Sequence, residues 1–268
     1  MAVESLEIKA FAKINLSFEI MGKLPSGNHE ISSVFQSVGL FDYLKISKIR
    51  EGYELSGSVL CNPEDNLATK AKQTLEYYVE SELPCSIELT KSIPVSSGLG
   101  GGSSDAASVL IGLNELYKIG LSQEELLAIS SEIGSDVPFF VRNSGTALVS
   151  GAGEKVSPAD CSHFPYYVLA RPHKRLSAKK MYELYDETGK SFFELANEMC
   201  PKIGELYVFF STISKQCGMS GSGPTVFAGF ENYKEAEKQV SDFGIEHFDG
   251  DFFICRALDR TYEIARRT

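Results

Sequence analysis

The chain has 268 residues, 43% of them hydrophobic and 23% charged, which excludes general disorder and allows one large or two modest folded domains. Its formal net charge of −10 argues against a protein that covers a nucleic-acid backbone, because that needs clustered Lys and Arg. No apolar run reaches the roughly 18–20 residues of a membrane-spanning helix, and Met1 to Lys9, with Glu4 and Glu7, does not read as a signal peptide; a cytoplasmic protein is expected.

Ile14, Leu16, Phe18 and Ile20 alternate with Asn15, Ser17, Glu19 and Met21, the period of a half-buried strand. Lys13 and Asn15 fall on one face at its start. A turn at 22–27 leads through Asn28, His29 and Glu30 to an apolar-rich segment at 34–38, and further strands are expected at 44–47 and 53–55. Asp65 and Asn66 precede a helical stripe of Leu67, Ala71, Leu75 and Tyr78, and 87–89 reads as a strand.

The densest signal follows, Pro94-Val95-Ser96-Ser97-Gly98-Leu99-Gly100-Gly101-Gly102-Ser103-Ser104-Asp105. Glycine lets a backbone take positive φ and lets a ligand approach closely. Ala106, Val109, Leu110, Leu113, Leu116 and Tyr117 then form a helical stripe, so Ser103 or Ser104 is the expected N-cap. The orphan N–H groups and dipole of that helix start point into the loop and make an anion site, most naturally for phosphate. A flexible linker or tight structural turn is the plain alternative. No Lys follows Gly102, as a Walker A loop requires, and Ser103 ends any match to G-x-G-x-x-G.

Ser122 and Glu125 form a capping box that opens a helix through Ile133. Gly134-Ser135-Asp136-Val137-Pro138-Phe139-Phe140 ends it and begins an apolar segment. A turn-rich stretch at 151–165 is the expected boundary between domains at 1–155 and 156–268. Beyond it come a strand at 167–169, helices near 178–186, 191–199 and 201–215, a glycine turn at 220–224, a strand at 225–230, a helix at 232–242 and a strand at 252–255. Strands and helices mix without a strict βαβ rhythm, which reads as α+β. Cys61, Cys85, Cys161, Cys200, Cys217 and Cys255 include no C-x-x-C and no zinc spacing, so free thiols are expected.

Four blocks, in order, carry a resemblance to the GHMP kinases, which transfer the γ-phosphate of ATP to small molecules. They are Ala12-Lys13-Ile14-Asn15-Leu16, the Gly-Ser loop, Gly134–Phe140 and Met219-Ser220-Gly221-Ser222-Gly223-Pro224-Thr225. The doubled Ser after three Gly, and the Gly134–Phe140 block, look most like the diphosphocytidyl-methylerythritol kinases of non-mevalonate isoprenoid synthesis. The resemblance spans nearly the whole chain. It implies a two-domain α+β GHMP kinase-like fold with its active site in the cleft between domains, and ATP with Mg²⁺ as phosphoryl donor. The implied acceptor is the 2-hydroxyl of a cytidine-bearing methylerythritol, and the implied assembly is a monomer or weak homodimer.

The resemblance assigns catalysis to Lys13 and Asp136. A carboxylate can take the proton of the acceptor hydroxyl, and a nearby ammonium favours the ionised carboxylate and stabilises phosphoryl oxygens. A helix-end cap and a solvated charge are their plain alternatives. Pro94, Gly98, Leu99, Gly100, Gly101, Gly102, Ser103 and Ser104 would hold the nucleotide phosphates, with the Ser104 hydroxyl on Mg²⁺ or acting only as a cap. Asn66 and Lys91 would lie on the adenine side or on the surface. Asn15, Asn28, His29, Tyr182, Gly221 and Ser222 would hold the acceptor; His29 can instead be a bonded structural residue, and Gly221-Ser222 a tight turn. The chain departs from the family at Asn28, where a Tyr usually stacks on cytosine, and at Ala178, where Thr is frequent. A kinase for another small alcohol, of homoserine or mevalonate type, therefore stays open, as does a non-catalytic nucleotide sensor on the same fold.

Overall fold

The computed structural model describes residues 3–58, 62, 65–159, 164–243 and 248–268. The chain opens with β1 (Ser5–Lys23) and β2 (His29–Lys48), one long antiparallel hairpin running in register from Ser5↔Ser47 to Lys23↔His29. The sequence pattern displays only fragments of these strands. Register shifts at Phe11/Ala12, Asn15/Ser17 and Ile20/Gly22 interrupt the period-two alternation by which a strand is recognised.

There follow β3 (Tyr53–Gly57), α1 (Leu67–Val79), β4 (Cys85–Thr90), α2 (Gly101–Leu116), α3 (Gln123–Ile133), α4 (Val137–Arg142), β5 (Thr146–Gly151) and β6 (Lys155–Pro158). The remainder comprises β7 (Tyr166–Pro172), α5 (Ala178–Thr188), α6 (Phe192–Met199), α7 (Lys202–Ile213), β8 (Cys217–Met219), β9 (Val226–Phe230), α8 (Tyr233–Asp242), β10 (Gly250–Arg256) and β11 (Tyr262–Arg267). The predicted capping box at Ser122 and Glu125 is present, and Asn66, Ser177, Ser191 and Asn232 cap their helices through side-chain oxygens.

The first sheet has the order β11-β1-β2-β4-β3. The long β2 pairs with β4 over Tyr43–Lys48 and with β5 over Ile31–Gln36, and β6 extends from β5. Helices α1 to α4 bury a core against this sheet that includes Leu6, Ile8, Leu44, Ile46, Leu110 and Phe139. The second sheet, β10-β7-β9-β8, packs with α5 to α8 around Val168, Met181, Leu195, Leu206, Phe210 and Val226. A third cluster joins the halves: Ala12, Ile14, Val38, Ile93 and Leu99 meet Tyr167, Leu169, Phe227 and Cys255. The two-unit α+β architecture expected from the sequence is the one observed.

The first sheet crosses the expected division at 155/156. β6 still belongs to the first sheet, and β11, at the far end of the chain, returns to pair with β1. A terminal strand that pairs across the whole length of the chain leaves no local mark at a boundary. The apolar segment after Gly134 is the short helix α4, followed by β5. Cys85, Cys200, Cys217 and Cys255 are free; Cys61 and Cys161 lie outside the described residues. Burial pushes the Cys85 thiol up to about 11 and the Cys255 thiol up to about 12, so neither is a reactive thiolate near neutrality. Among the described residues no helix is long and apolar enough to cross a membrane.

Candidate active site

The site begins with β1. Alternation puts Lys13 and Asn15 on one face, and the Lys13 Nζ donates to Asn15 Oδ1 at 2.7 Å. Lys13 is only 3% exposed, and its ammonium lies 4.6 Å from the centre of the Phe35 ring. Asn15 is held in turn: its Nδ2 donates to Ser33 Oγ at 2.9 Å and its backbone N–H to Ser220 Oγ at 3.2 Å. Ser220 Oγ also donates to Gly98 O at 2.8 Å. The β1 pair, the glycine loop and the turn at 220–224 are thereby bonded into one unit.

Asp136 occupies the N-cap position of α4, but its side chain makes no cap hydrogen bond. It turns instead to Lys13, with Nζ–Oδ2 at 3.4 Å, and retains 27% side-chain exposure. The carboxylate is thus reachable from the cleft while the ammonium beside it is almost wholly buried. Tyr182 lies close enough to feel that charge. Burial first, then Asp136, pushes its phenol up to about 12, so it stays protonated.

The glycine loop runs over this pair. The Lys13 backbone N–H donates to Leu99 O at 3.0 Å, and the Leu99 side chain is fully buried in the cluster that joins the halves. Leu99 is therefore an anchor, and its side chain does not line the cleft. The N-cap of α2 is Gly100 at φ +71°, not Ser103 or Ser104. The correction has a clear cause: a left-handed residue starts the helix earlier, and Ser104 Oγ is drawn inward to donate to Phe11 O at 2.7 Å. Ser104 is 1% exposed and does not line the cleft, so its expected role on Mg²⁺ does not fit this geometry. Ser103 is the loop hydroxyl that does line it. The first-turn N–H groups of Gly101, Gly102 and Ser103 have no acceptor within the helix, the arrangement that suits an anion at a helix start.

Gly98 and Gly100 are bare for different reasons. A Cβ on Gly98 would collide with Ser220 O, whereas one on Gly100 would meet Phe140 Cζ at 2.9 Å and Lys13 Cε and Cγ at 3.1 Å. Gly100→Ala is therefore expected to act through Lys13 rather than through the nucleotide. Its kcat should fall at least about tenfold, while calorimetric ATP binding stays within a few fold of wild type. Unchanged kcat would contradict this packing argument.

Lys91, expected on the adenine side or on the surface, lines the cleft and holds its ammonium against two carboxylates, Asp42 Oδ2 at 2.5 Å and Asp105 Oδ2 at 2.7 Å. Asp42 Oδ1 accepts from the backbone N–H groups of Ser92 and Ile93 at 2.6 and 2.8 Å. Burial works against the Lys91 ammonium, but Asp105 and Asp42 outweigh it and raise its pKa. The Asp105 carboxyl is pushed up to about 7, chiefly by burial, and its Oδ1 has no hydrogen-bond partner among the described residues. This triad is a strut beneath the loop, tying β2 and the segment after β4 to α2. Asn66 likewise spends its Oδ1 on the Ala68 N–H at 2.9 Å, though it still lines the cleft.

The cleft has a volume of ≈ 610 Å³ and is lined by Lys13, Asn15, Asp136, Pro94, Gly98, Gly100 to Ser103, Tyr182, Gly221 and Ser222. An adjoining hollow takes in Asn28, His29, Tyr182 and Asp186. His29 stacks on Tyr182 with ring centres 4.7 Å apart at 22°. Asn28 is exposed and offers no ring. The sequence reading missed the apolar wall of Phe18, Ile31, Phe35, Leu176 and Phe192, because apolar residues at strand and helix periods read as core. It also missed Lys179, which borders both spaces, and Asp186, which stands four residues after Tyr182 on one helix face.

The sequence family "GHMP kinases N terminal domain" matches residues 66–144. A 4-diphosphocytidyl-2-C-methyl-D-erythritol kinase of Clostridium botulinum is 34% identical, covering 94% of this chain and all of the relative. The enzyme of the same name from Carboxydothermus hydrogenoformans is 37% identical over 86% of this chain and 90% of its own length. A crystal structure of 4-(cytidine 5'-diphospho)-2C-methyl-D-erythritol kinase superposes with a TM-score of 0.77 at 25% identity, covering 94% of this chain and 99% of that one. The homoserine kinase of Cytophaga hutchinsonii shares the fold, with a TM-score of 0.70 at 16% identity over 97% of each chain.

Proposed function

Because the chain belongs to the 4-diphosphocytidyl-2-C-methyl-D-erythritol kinases within the GHMP kinases, we propose that it transfers the γ-phosphoryl group of ATP to the 2-hydroxyl of 4-diphosphocytidyl-2-C-methyl-D-erythritol. The observation that carries the residue assignment is the Lys13–Asp136 pair at 3.4 Å, buried on the ammonium side and open on the carboxylate side, beneath the loop of glycine backbone. A non-catalytic sensor has no need of that pairing.

In this reading Asp136 accepts the proton of the acceptor hydroxyl. Its unspent cap position leaves both oxygens to the cleft and to Lys13. Lys13 is oriented by Asn15 and stabilises charge on the transferred phosphoryl group. The first-turn N–H groups of α2 hold the nucleotide phosphates, and Pro94, Gly98, Gly101 and Gly102 shape the backbone that admits them. Among the described residues there is no cluster of three His, Cys, Asp or Glu able to hold a metal by itself. That suits Mg²⁺, which binds mainly through substrate phosphates and retained waters. Ser103 is the hydroxyl in place to join it, and the ion would neutralise phosphate charge.

His29 and Tyr182 hold the cytidine end, with Gly221 and Ser222 facing the reacting end. Asn28 favours a second reading, a smaller and more polar acceptor, because the ring that usually stacks on cytosine is missing. Steady-state kinetics separates the two. Turnover of the cytidine substrate is expected, with KM raised by about 5- to 150-fold in Tyr182→Ala, the equivalent of one lost stacking contact. Asn28→Tyr should lower that KM. Turnover of homoserine or mevalonate in place of the cytidine substrate would transfer the assignment to the second reading.

A further inference from the structure

Asp136 stands at the start of a helix too short to hold itself. α4 has six residues and its N-cap side chain makes no capping hydrogen bond. Isolated helices below about 12–15 residues are marginal in water. Val137, Phe139 and Phe140 are buried and pack α4 into the core of the first half. Such packing is non-directional and does not fix where a helix stops along its axis. Directional bonds do so at its C-terminal end, and they come from Thr261, a wholly buried residue just before β11. The Thr261 hydroxyl donates to Phe140 O at 2.6 Å, and its backbone N–H donates to Asn143 Oδ1 at 2.8 Å. Asn143 is the C-cap of α4, left-handed at φ +55°. The Thr261 carbonyl accepts from the Phe11 N–H on β1 at 3.0 Å. The same segment holds β2: the Leu258 N–H donates to Ser37 O at 2.9 Å, and Ser37 is the cross-strand partner of Lys13.

We propose that Thr261 is a positioning residue for phosphoryl transfer: it ties α4, which carries Asp136, to β1, which carries Lys13, and so sets the spacing of the two. The proposal rests on the reading of Asp136 as proton acceptor and Lys13 as the cation beside it. Thr261 does not line the cleft, and among the described residues no hydrogen bond joins it to Lys13 or Asp136. It acts through backbone. Asp136 is four residues from Phe140, about 6 Å of helix, and Lys13 is two residues from Phe11, about 7 Å of strand. Elements this short are stiff, so a displacement at Thr261 is carried to their far ends. The 3.4 Å separation of Lys13 and Asp136 is then set by two short arms fixed on one residue. A misplacement on the order of 1 Å at the reacting groups can cost about 10²-fold in rate. Nucleotide affinity belongs to the glycine loop and the start of α2, which Thr261 does not hold.

Steady-state kinetics with ATP and 4-diphosphocytidyl-methylerythritol on the full-length protein tests this. Thr261→Val keeps the branched shape and removes the hydroxyl donor. The Phe140 carbonyl still accepts from the Asn143 N–H at 3.3 Å, so no buried acceptor is left unpaired. In this variant kcat should fall at least about fivefold, with KM for ATP and for the acceptor within about twofold of wild type. Thr261→Ser restores the donor and should recover kcat to within about twofold of wild type. Asn143→Gly keeps the left-handed cap but removes the acceptor of the Thr261 N–H, and should reproduce the loss from the other side of the contact. It carries the same test should Thr261→Val fail to fold. Because the effect runs through Asp136, adding Thr261→Val to Asp136→Asn should cost nothing further, whereas a merely structural defect adds its own loss. Unchanged kcat in Thr261→Val or Asn143→Gly, a Thr261→Ser as slow as Thr261→Val, or losses that multiply in the double variant would each overturn the proposal. Full turnover in Asp136→Asn alone would instead overturn the proton-acceptor reading on which it rests.

Discussion

Asp136→Asn is expected to lower kcat by about 10²–10⁴ while ATP binding is preserved. The amide keeps the shape of the carboxylate, and Asp136 makes no cap hydrogen bond that α4 would lose. What disappears is the proton acceptor and the negative charge 3.4 Å from Lys13. Because Lys13 stays tied to Asn15 Oδ1 at 2.7 Å, it does not swing away when its partner is neutralised. The loss should therefore appear in kcat and kcat/KM together, the signature of an interaction made in the transition state. Calorimetry with ATP and rapid-quench turnover of the variant make the comparison. A variant with full turnover would rule out the carboxylate as proton acceptor.

Lys91→Met is expected to destabilise the fold by about 3–5 kcal/mol, because it leaves Asp42 and Asp105 buried together without a cation. Asp105→Asn should behave in the opposite way, and its effect should depend on pH. The folded-state pKa of Asp105 is raised to about 7 from 3.8. A raised folded pKa contributes stability that is fully present below the unfolded value and is lost as pH rises through the folded one. Between about pH 4 and 7 the unfolded chain releases this proton and the folded chain retains it, a loss of about 1.4 kcal/mol per pH unit from this group. The Asn variant lacks that slope. Urea unfolding of both proteins at about pH 5 and pH 8 should show Asp105→Asn gaining on wild type as pH rises. A difference that stays constant with pH would contradict the buried, proton-holding carboxyl. If instead Lys91→Met unfolds like wild type, the strut beneath the loop has no energetic weight.

Several features were legible because their cause is local. Period-two alternation alone puts Lys13 and Asn15 on one face, and the 2.7 Å bond between them follows. The Ser122–Glu125 capping box needs only four consecutive residues. The run from Gly98 to Ser103 announces backbone that a ligand or another chain segment approaches closely, whatever surrounds it. The four ordered blocks carried the family, and with it the two-unit α+β fold and the kinase activity.

Other features depended on partners far away in the chain. Nothing near Lys91 foretells that its ammonium is bonded to buried carboxylates; Asp42, 49 positions earlier, supplies one of them. Ser104 is an excellent cap in sequence, yet the carbonyl of Phe11 on β1 captures its hydroxyl and the helix starts at Gly100 instead. β11 acquires its place only from pairing with β1, and Asp186 becomes a candidate only because the β1–β2 hairpin brings Lys23 and His29 to it. The sequence by itself determined which residue types and local geometries could bind phosphate and move a proton. Tertiary structure decided which of those groups remain available, because a buried charge or hydroxyl must first satisfy its neighbours before it can serve a ligand.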